Sequence, residues 1–175
     1  MRQKLLKRLY RDERANASLE FVVLFPLVIL LFCSAMEAGV LSVRQVMLDS
    51  AADDVVRTLR LSSSKSPTKD EINAQVCEKA VIFPDCMNAV TVEMKPIDTD
   101  TWDIASDSMN CVDRDDGFVP VEEYVSGGRD ELMLLRICAV FNPVFPTVGL
   151  GAKLSRVNES DYAIVTATAF VNEPI

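Results

Sequence analysis

The chain has 175 residues, a formal net charge of −8 and no histidine. That length suggests one domain with appendages, the acidic balance argues against nucleic-acid binding as its task, and the commonest general base and metal ligand is missing. Nearly half of the residues are apolar, but many are spent near the N-terminus, which leaves material for a modest core in the remainder.

Residues 1–15 are a basic leader: Arg2, Lys4, Lys7, Arg8, Arg11 and Arg14 outnumber Asp12 and Glu13. Lys and Arg beside a membrane helix stay on the cytoplasmic side, whereas Asp and Glu count little. The N-terminus is therefore expected in the cytoplasm and everything after the apolar run outside. That run follows at once. Between Ala15 and Met36 only Glu20 is ionisable, and at 1.5 Å per residue the stretch measures about 33 Å, enough to cross a hydrocarbon core. Pro26 is expected to kink it. A cleaved secretory signal would need a shorter apolar core and small residues at the cut, which Ala35-Met36-Glu37 does not supply. A lipoprotein would need a small residue before Cys33, where Phe32 stands. A buried core helix would not explain the basic leader. Residues 16–43 are accordingly assigned as a transmembrane helix.

Glu20 is a carboxylate just inside this run. Left beside Arg14 it sits at the interface at little cost. If the chain is cut between Ala15 and Asn16, Glu20 becomes the fifth residue, one turn from a free amine and within reach of the termini of neighbouring subunits. Opposite charges buried in a helical bundle must pair, because an unpaired buried charge is strongly unfavourable.

Residues 44–61 carry the helix onward as an amphipathic segment. Val40, Val43, Met47, Ala51, Val55 and Leu59 recur at spacings of three and four, opposite Asp49, Asp53, Asp54, Arg57 and Arg60, and this predicts a stripe packed on a head. Anchor and stripe together predict one helix of about 45 residues, about 65–70 Å long, with Gly39 as a flex point.

Residues 62–175 form the expected exported head. Ser62–Pro67 breaks the chain. Thr68-Lys69-Asp70-Glu71 is a capping-box pattern that predicts a short helix to Lys79 burying Ile72 and Val76. Three strands follow. Ala89–Lys95 alternates, with Thr91, Glu93 and Lys95 on a wet face. Leu132–Phe141 is apolar on both faces, as a covered central strand is. Tyr162–Val171 is long and β-rich. The polar stretch from Ile97 to Gly128, with Trp102 alone in it, is expected as an exposed irregular region. Pro143-Val144-Phe145-Pro146 is expected as an extended connection, either a hydrophobic contact surface or, the favoured reading, buried in the head. The fold class is α+β, a long helix with a small antiparallel sheet.

Of the five cysteines, Cys33 lies in the apolar run. Cys77, Cys86, Cys111 and Cys138 lie in the head, where an oxidising compartment pairs them into two disulfides with three possible connectivities; Cys77–Cys86 with Cys111–Cys138 is favoured. No metal or other cofactor is expected: no pair has Cys-x-x-Cys spacing and imidazole is absent. Ser62-Ser63-Ser64-Lys65 matches Ser-x-x-Lys without its companion motifs and reads as a linker. Asp113–Gly117 lacks the spacing of a calcium loop and reads as an acidic turn. Gly149-Leu150-Gly151 has no phosphate-loop context, and Glu122-Glu123 reads as an exposed acidic pair. No enzymatic activity is expected.

Several of these residues carry a resemblance. The basic leader, Ala15, Glu20-Phe21, Pro26 inside the apolar run, Glu37-x-Gly39 at its end, Ala51-Ala52 followed by Arg57, and the ending Phe170-Val171-Asn172-Glu173-Pro174 resemble the TadE-like minor pseudopilins of tight adherence (Tad/Flp) pili, relatives of type IV prepilins. The resemblance covers about the first third of the chain and this short tail. It implies a pilin-like lollipop, cleavage between Ala15 and Asn16 by a prepilin peptidase, and assembly through Glu20 and Phe21. It also implies other pilins or pseudopilins and the pilus assembly machinery as partners, in the bacterial inner membrane with the head periplasmic or in an extracellular pilus, and roles in pilus biogenesis and adhesion. The family usually has Gly where Ala15 stands. The alternative is a signal-anchored periplasmic binding or scaffolding domain that enters no filament.

Overall fold

In the computed structural model of the protein, residues 16–61, 67–101, 109–117, 120 and 123–173 are described. The leader with Ala15, the Ser62–Lys65 linker, Trp102, Glu122 and Pro174 lie outside them.

Helix α1 spans Asn16–Leu61, 46 residues, and runs through both Pro26 and Gly39 without a break. At 1.5 Å per residue it is about 69 Å long. Straight-chain and branched apolar residues fill its first half, and charged residues complete its second. Helix α2, Lys69–Lys79, starts where the sequence places it. Thr68 Oγ1 accepts from the Glu71 amide while the Glu71 carboxylate accepts from the Thr68 amide, which satisfies two otherwise orphaned donors. Its inward face buries Ile72 and Val76 completely, and Gln75 Nε2 donates to Thr58 Oγ1 on α1 at 2.6 Å. A single turn, α3, covers Cys86–Ala89.

Strands β1 (Val90–Pro96), β2 (Leu132–Phe141) and β3 (Tyr162–Val171) form one antiparallel sheet in the order β1-β2-β3. The register pairs Val92 with Ile137 and Ile137 with Thr166. One face of the sheet, carrying Val92, Met94, Met133, Leu135, Ile137, Phe141, Tyr162 and Phe170, packs on Leu48, Ala51, Ala52, Val55 and Leu59 of α1 and on Ile72 and Val76 of α2. The other face corrects the expectation of a wet β1. Thr91 and Glu93 are buried, because Cys111 is bonded to Cys138 on the neighbouring strand and the 123–125 segment hydrogen-bonds to Met94. Glu93 is held there by ion pairs with Arg136 and Lys95. The region 97–128 is thus partly structural: Ile97, Val112 and Pro120 are buried, and the Tyr124 hydroxyl donates to the Pro67 carbonyl at 2.6 Å.

The bridges are Cys77–Cys86 and Cys111–Cys138, and Cys33 is free. In the chain-entropy account the loops they close are worth about 2.7 and about 3.6 kcal/mol.

The buried stripe of α1 also departs from the sequence reading. Val43 is exposed and Met47 only half-buried, whereas Glu37, Arg44 and Leu48 are buried. The stripe runs Glu37, Leu41, Arg44, Leu48, Ala51, Val55, Leu59. Its spacings are helical, but two of its members are charged.

Candidate functional site

The candidate functional part of the molecule is α1, and its two halves differ. From Leu19 to Phe32, twelve large apolar side chains are exposed on every face. Phe21 and Phe25, one turn apart, approach to 5.0 Å between ring centroids. Covering these side chains is worth on the order of 20 kcal/mol, so lipid or other apolar helices must surround them. Among the described residues this is the one helix long and apolar enough to cross a membrane, and none of its most apolar window is buried by the head. Glu20 lies on this surface, exposed, with no hydrogen bond or ion pair to another described residue. Asn16 is the first residue of the helix.

The other end of the apolar run also carries a carboxylate, and its setting is the opposite. Glu37 is fully buried. Its Oε1 accepts from the Val144 amide at 3.1 Å and from the Tyr162 hydroxyl at 2.9 Å, and its Oε2 accepts from the Phe145 amide at 2.9 Å. Two backbone donors and a phenol thus compensate the loss of water. Burial first, and then the Glu37 carboxylate beside it, push the Tyr162 hydroxyl well above the ordinary tyrosine range, so it stays a donor.

Two turns further on, Arg44 completes the joint. Its Nη1 donates to the Asn142 carbonyl at 3.2 Å, and its guanidinium lies 4.1 Å from the centroid of the Phe141 ring, a cation–π geometry. Phe141 meets Tyr162 edge-on at 4.3 Å and Phe83 at 5.6 Å. One helix face, the end of β2, the start of β3 and the loop after β2 are therefore fastened together by two charged side chains. The role of Glu37 was signalled in sequence only by its place in the motif Glu37-x-Gly39; Arg44 gave no signal.

The acidic turn is filled by its own neighbours. Arg114 Nε donates to Asp161 at 2.9 Å and Nη2 to Asn142 at 3.1 Å, while Asn158 Nδ2 donates to Asp113 at 3.0 Å and to Asp161 at 3.1 Å. The Asn158 bond, with amides of Asp115 and Asp116, holds the Asp113 carboxyl below the usual range against a weaker opposing effect of burial. What this geometry can do is hold parts together: the loop carrying Asp113 onto the turn before β3, and both onto the helix joint through Asn142.

A long helix, bare and apolar in its first half and packed against a small sheet in its second, defines, among the described residues, one membrane-length helix and an α+β head. The sequence model of TadE-like proteins matches residues 16–57, a segment lying wholly within α1, and so bears out the resemblance carried by Glu20-Phe21 and Glu37-x-Gly39. The match covers the anchor-like helix and its entry into the head, and by length and composition that helix is suited to crossing a membrane. No curated protein and no solved structure matches the chain.

Proposed function

We propose that the protein is a minor pseudopilin of a Tad/Flp-type pilus that acts by assembly rather than catalysis. The N-terminus faces the cytoplasm, the head is exported across the bacterial inner membrane, and a prepilin peptidase cuts after Ala15. The freed Asn16 amine and Glu20 then pair between neighbouring subunits while Phe21 and the apolar surface pack among their helices. The head faces sister pilins or the exterior and supports pilus biogenesis and adhesion.

The observation that carries this reading is the contrast on α1: an apolar surface open on all sides, with one carboxylate near its start that meets no partner among the described residues, in the segment that matches TadE-like proteins. An intact-mass measurement on protein extracted from membranes tests it. A chain beginning at Asn16 is expected. A chain still beginning at Met1 would overturn processing and leave the tethered, non-filament domain as the better account.

A further inference from the structure

The loop between β2 and β3 begins with residues that carry no charge from Asn142 through Ala152. It does not fold into the head as its sequence suggested. Pro143 is buried, but Val144 is 49 % exposed, Val148 is 39 % exposed and Pro146 lies open. It is drawn down along α1 instead. Glu37 holds its start through the Val144 and Phe145 amides. Further along, Gly149 lies against Leu30 and Ser34: a Cβ there would stand 3.4 Å from the Leu30 carbonyl oxygen and the Ser34 nitrogen and would overlap Ser34 Oγ. Its φ of 62° is also one that glycine adopts without strain.

Position along the helix converts to depth. Glu20 and Glu37 bound the uncharged run and stand about 26 Å apart along the axis, close to the hydrocarbon thickness of about 30 Å. Glu37 thus marks the head-side edge of the slab. Ser34 and Leu30 lie about 5–10 Å below that edge, and so does the Gly149 turn. This is the depth at which interfacial apolar segments sit, at the boundary of headgroups and acyl chains.

The first part of the loop, through Pro146, suits that surrounding. Irregular chain near lipid must satisfy its own polar groups. Pro143 and Pro146 bring no N–H. The amides of Val144 and Phe145 go to Glu37, and that of Val148 goes to the Phe145 carbonyl at 3.5 Å. The Pro146 carbonyl takes Arg156 Nη2 at 3.0 Å, and the Leu150 carbonyl takes the Lys153 amide at 2.8 Å. The exposed cations Lys153 and Arg156 follow directly on the uncharged stretch, as side chains that reach back to headgroups do.

We propose that loop 143–152 is a second membrane contact, seated in the lipid leaflet on the head side with Val144 and Val148 against acyl chains. It rests on the reading of α1 as a membrane anchor but not on entry into a pilus. The test uses full-length protein in nanodiscs of phosphatidylcholine with brominated acyl chains. Trp102→Phe removes the sole native tryptophan, and single tryptophans are then placed by Leu31→Trp in the helix, Val148→Trp or Thr147→Trp in the loop, and Val81→Trp in the head. Bromine is expected to quench Leu31→Trp and both loop variants and to spare Val81→Trp. A quenched Leu31→Trp with loop tryptophans as unquenched as Val81→Trp overturns the loop contact while the anchor stands. An unquenched Leu31→Trp overturns the anchor and the loop contact together. Thr147→Trp replaces an exposed polar residue, so its quenching does not depend on altering an apolar side chain of the loop.

Discussion

The apolar run of α1 has a carboxylate at each end, and the two ends are handled differently. Glu37 meets three donors supplied by residues more than a hundred positions later in its own chain. Glu20 meets none among the described residues and faces outward. Both carboxylates lie where lipid penalises charge. One end is satisfied by described residues of the same chain, and the other is not. The end nearest the head has an intramolecular solution because the sheet and its loop reach down to it. None of the described residues of the head bonds to Glu20.

The sharpest way to break this contrast is Glu37→Ala. Removing the acceptor strands the Val144 and Phe145 amides and the Tyr162 hydroxyl, and the expected loss of head stability is about 4 kcal/mol, read as a fall in the denaturant midpoint of the detergent-solubilised protein. Tyr162→Phe, which removes one of the two donors to Glu37 Oε1 and leaves the Val144 amide in place, should lose about 1.5 kcal/mol; the two changes made together should fall well short of the sum, since they share one interaction.

A second comparison lies inside the head. Breaking Cys111–Cys138 by a double serine replacement should destabilise by about 3.6 kcal/mol, more than the about 2.7 kcal/mol for Cys77–Cys86. Equal losses in reversible unfolding would show that loop length is not what separates them.

How much of this was readable in sequence depends on where each residue's partner lies. The Thr68–Glu71 cap, the buried Ile72 and Val76, and strands β2 and β3 were legible because period and capping are local signals. The burial of Glu37 and Arg44 was not, since a charge on a helix reads as wet until its partners are known, and those are Asn142, Val144, Phe145 and Tyr162. Thr91 and Glu93 misled in the same way. Alternation in β1 indicated one dry face, and only the bridge to Cys138 and the Tyr124 segment reveal that the second face is covered as well. At the candidate site, Glu20 and Phe21 stand out as a pattern, whereas the apolar loop after β2 reads as core or as contact surface, and sequence alone favours core over the exposure seen at Val144 and Pro146.

The buried acid of β1 gives a milder test in pH. Burial alone would raise the Glu93 carboxyl, but Arg136 and Lys95 outweigh it and hold the group below its ordinary value. A carboxylate depressed in the folded state contributes stability that is whole above its unfolded pKa and drains away as pH falls through the folded one. The head should therefore be at full strength at neutral pH and weaken below about pH 4. In Glu93→Gln the acid-dependent part should shrink, and the variant should already be weaker at pH 7 because Arg136 is left without its carboxylate.

The smallest effect on stability, and the largest on assembly, is expected at the other end of the run. Glu20→Ala should leave the unfolding midpoint within about 0.5 kcal/mol of the parent and leave membrane insertion intact, while incorporation into pili, followed in sheared filament fractions, should fall sharply. Normal incorporation would show that Glu20 does not pair between subunits.

The unbroken course of α1 through Gly39 gives it mechanical meaning. One continuous helix about 69 Å long joins Asn16 to Leu61, so a turn of its lower half is carried along a single element to the head. With Glu37 and Arg44 keyed into the sheet, the head cannot swivel on its stalk. In the proposed assembly, the azimuth at which the lower helix lodges among its neighbours would therefore dictate which side of the globule looks outward.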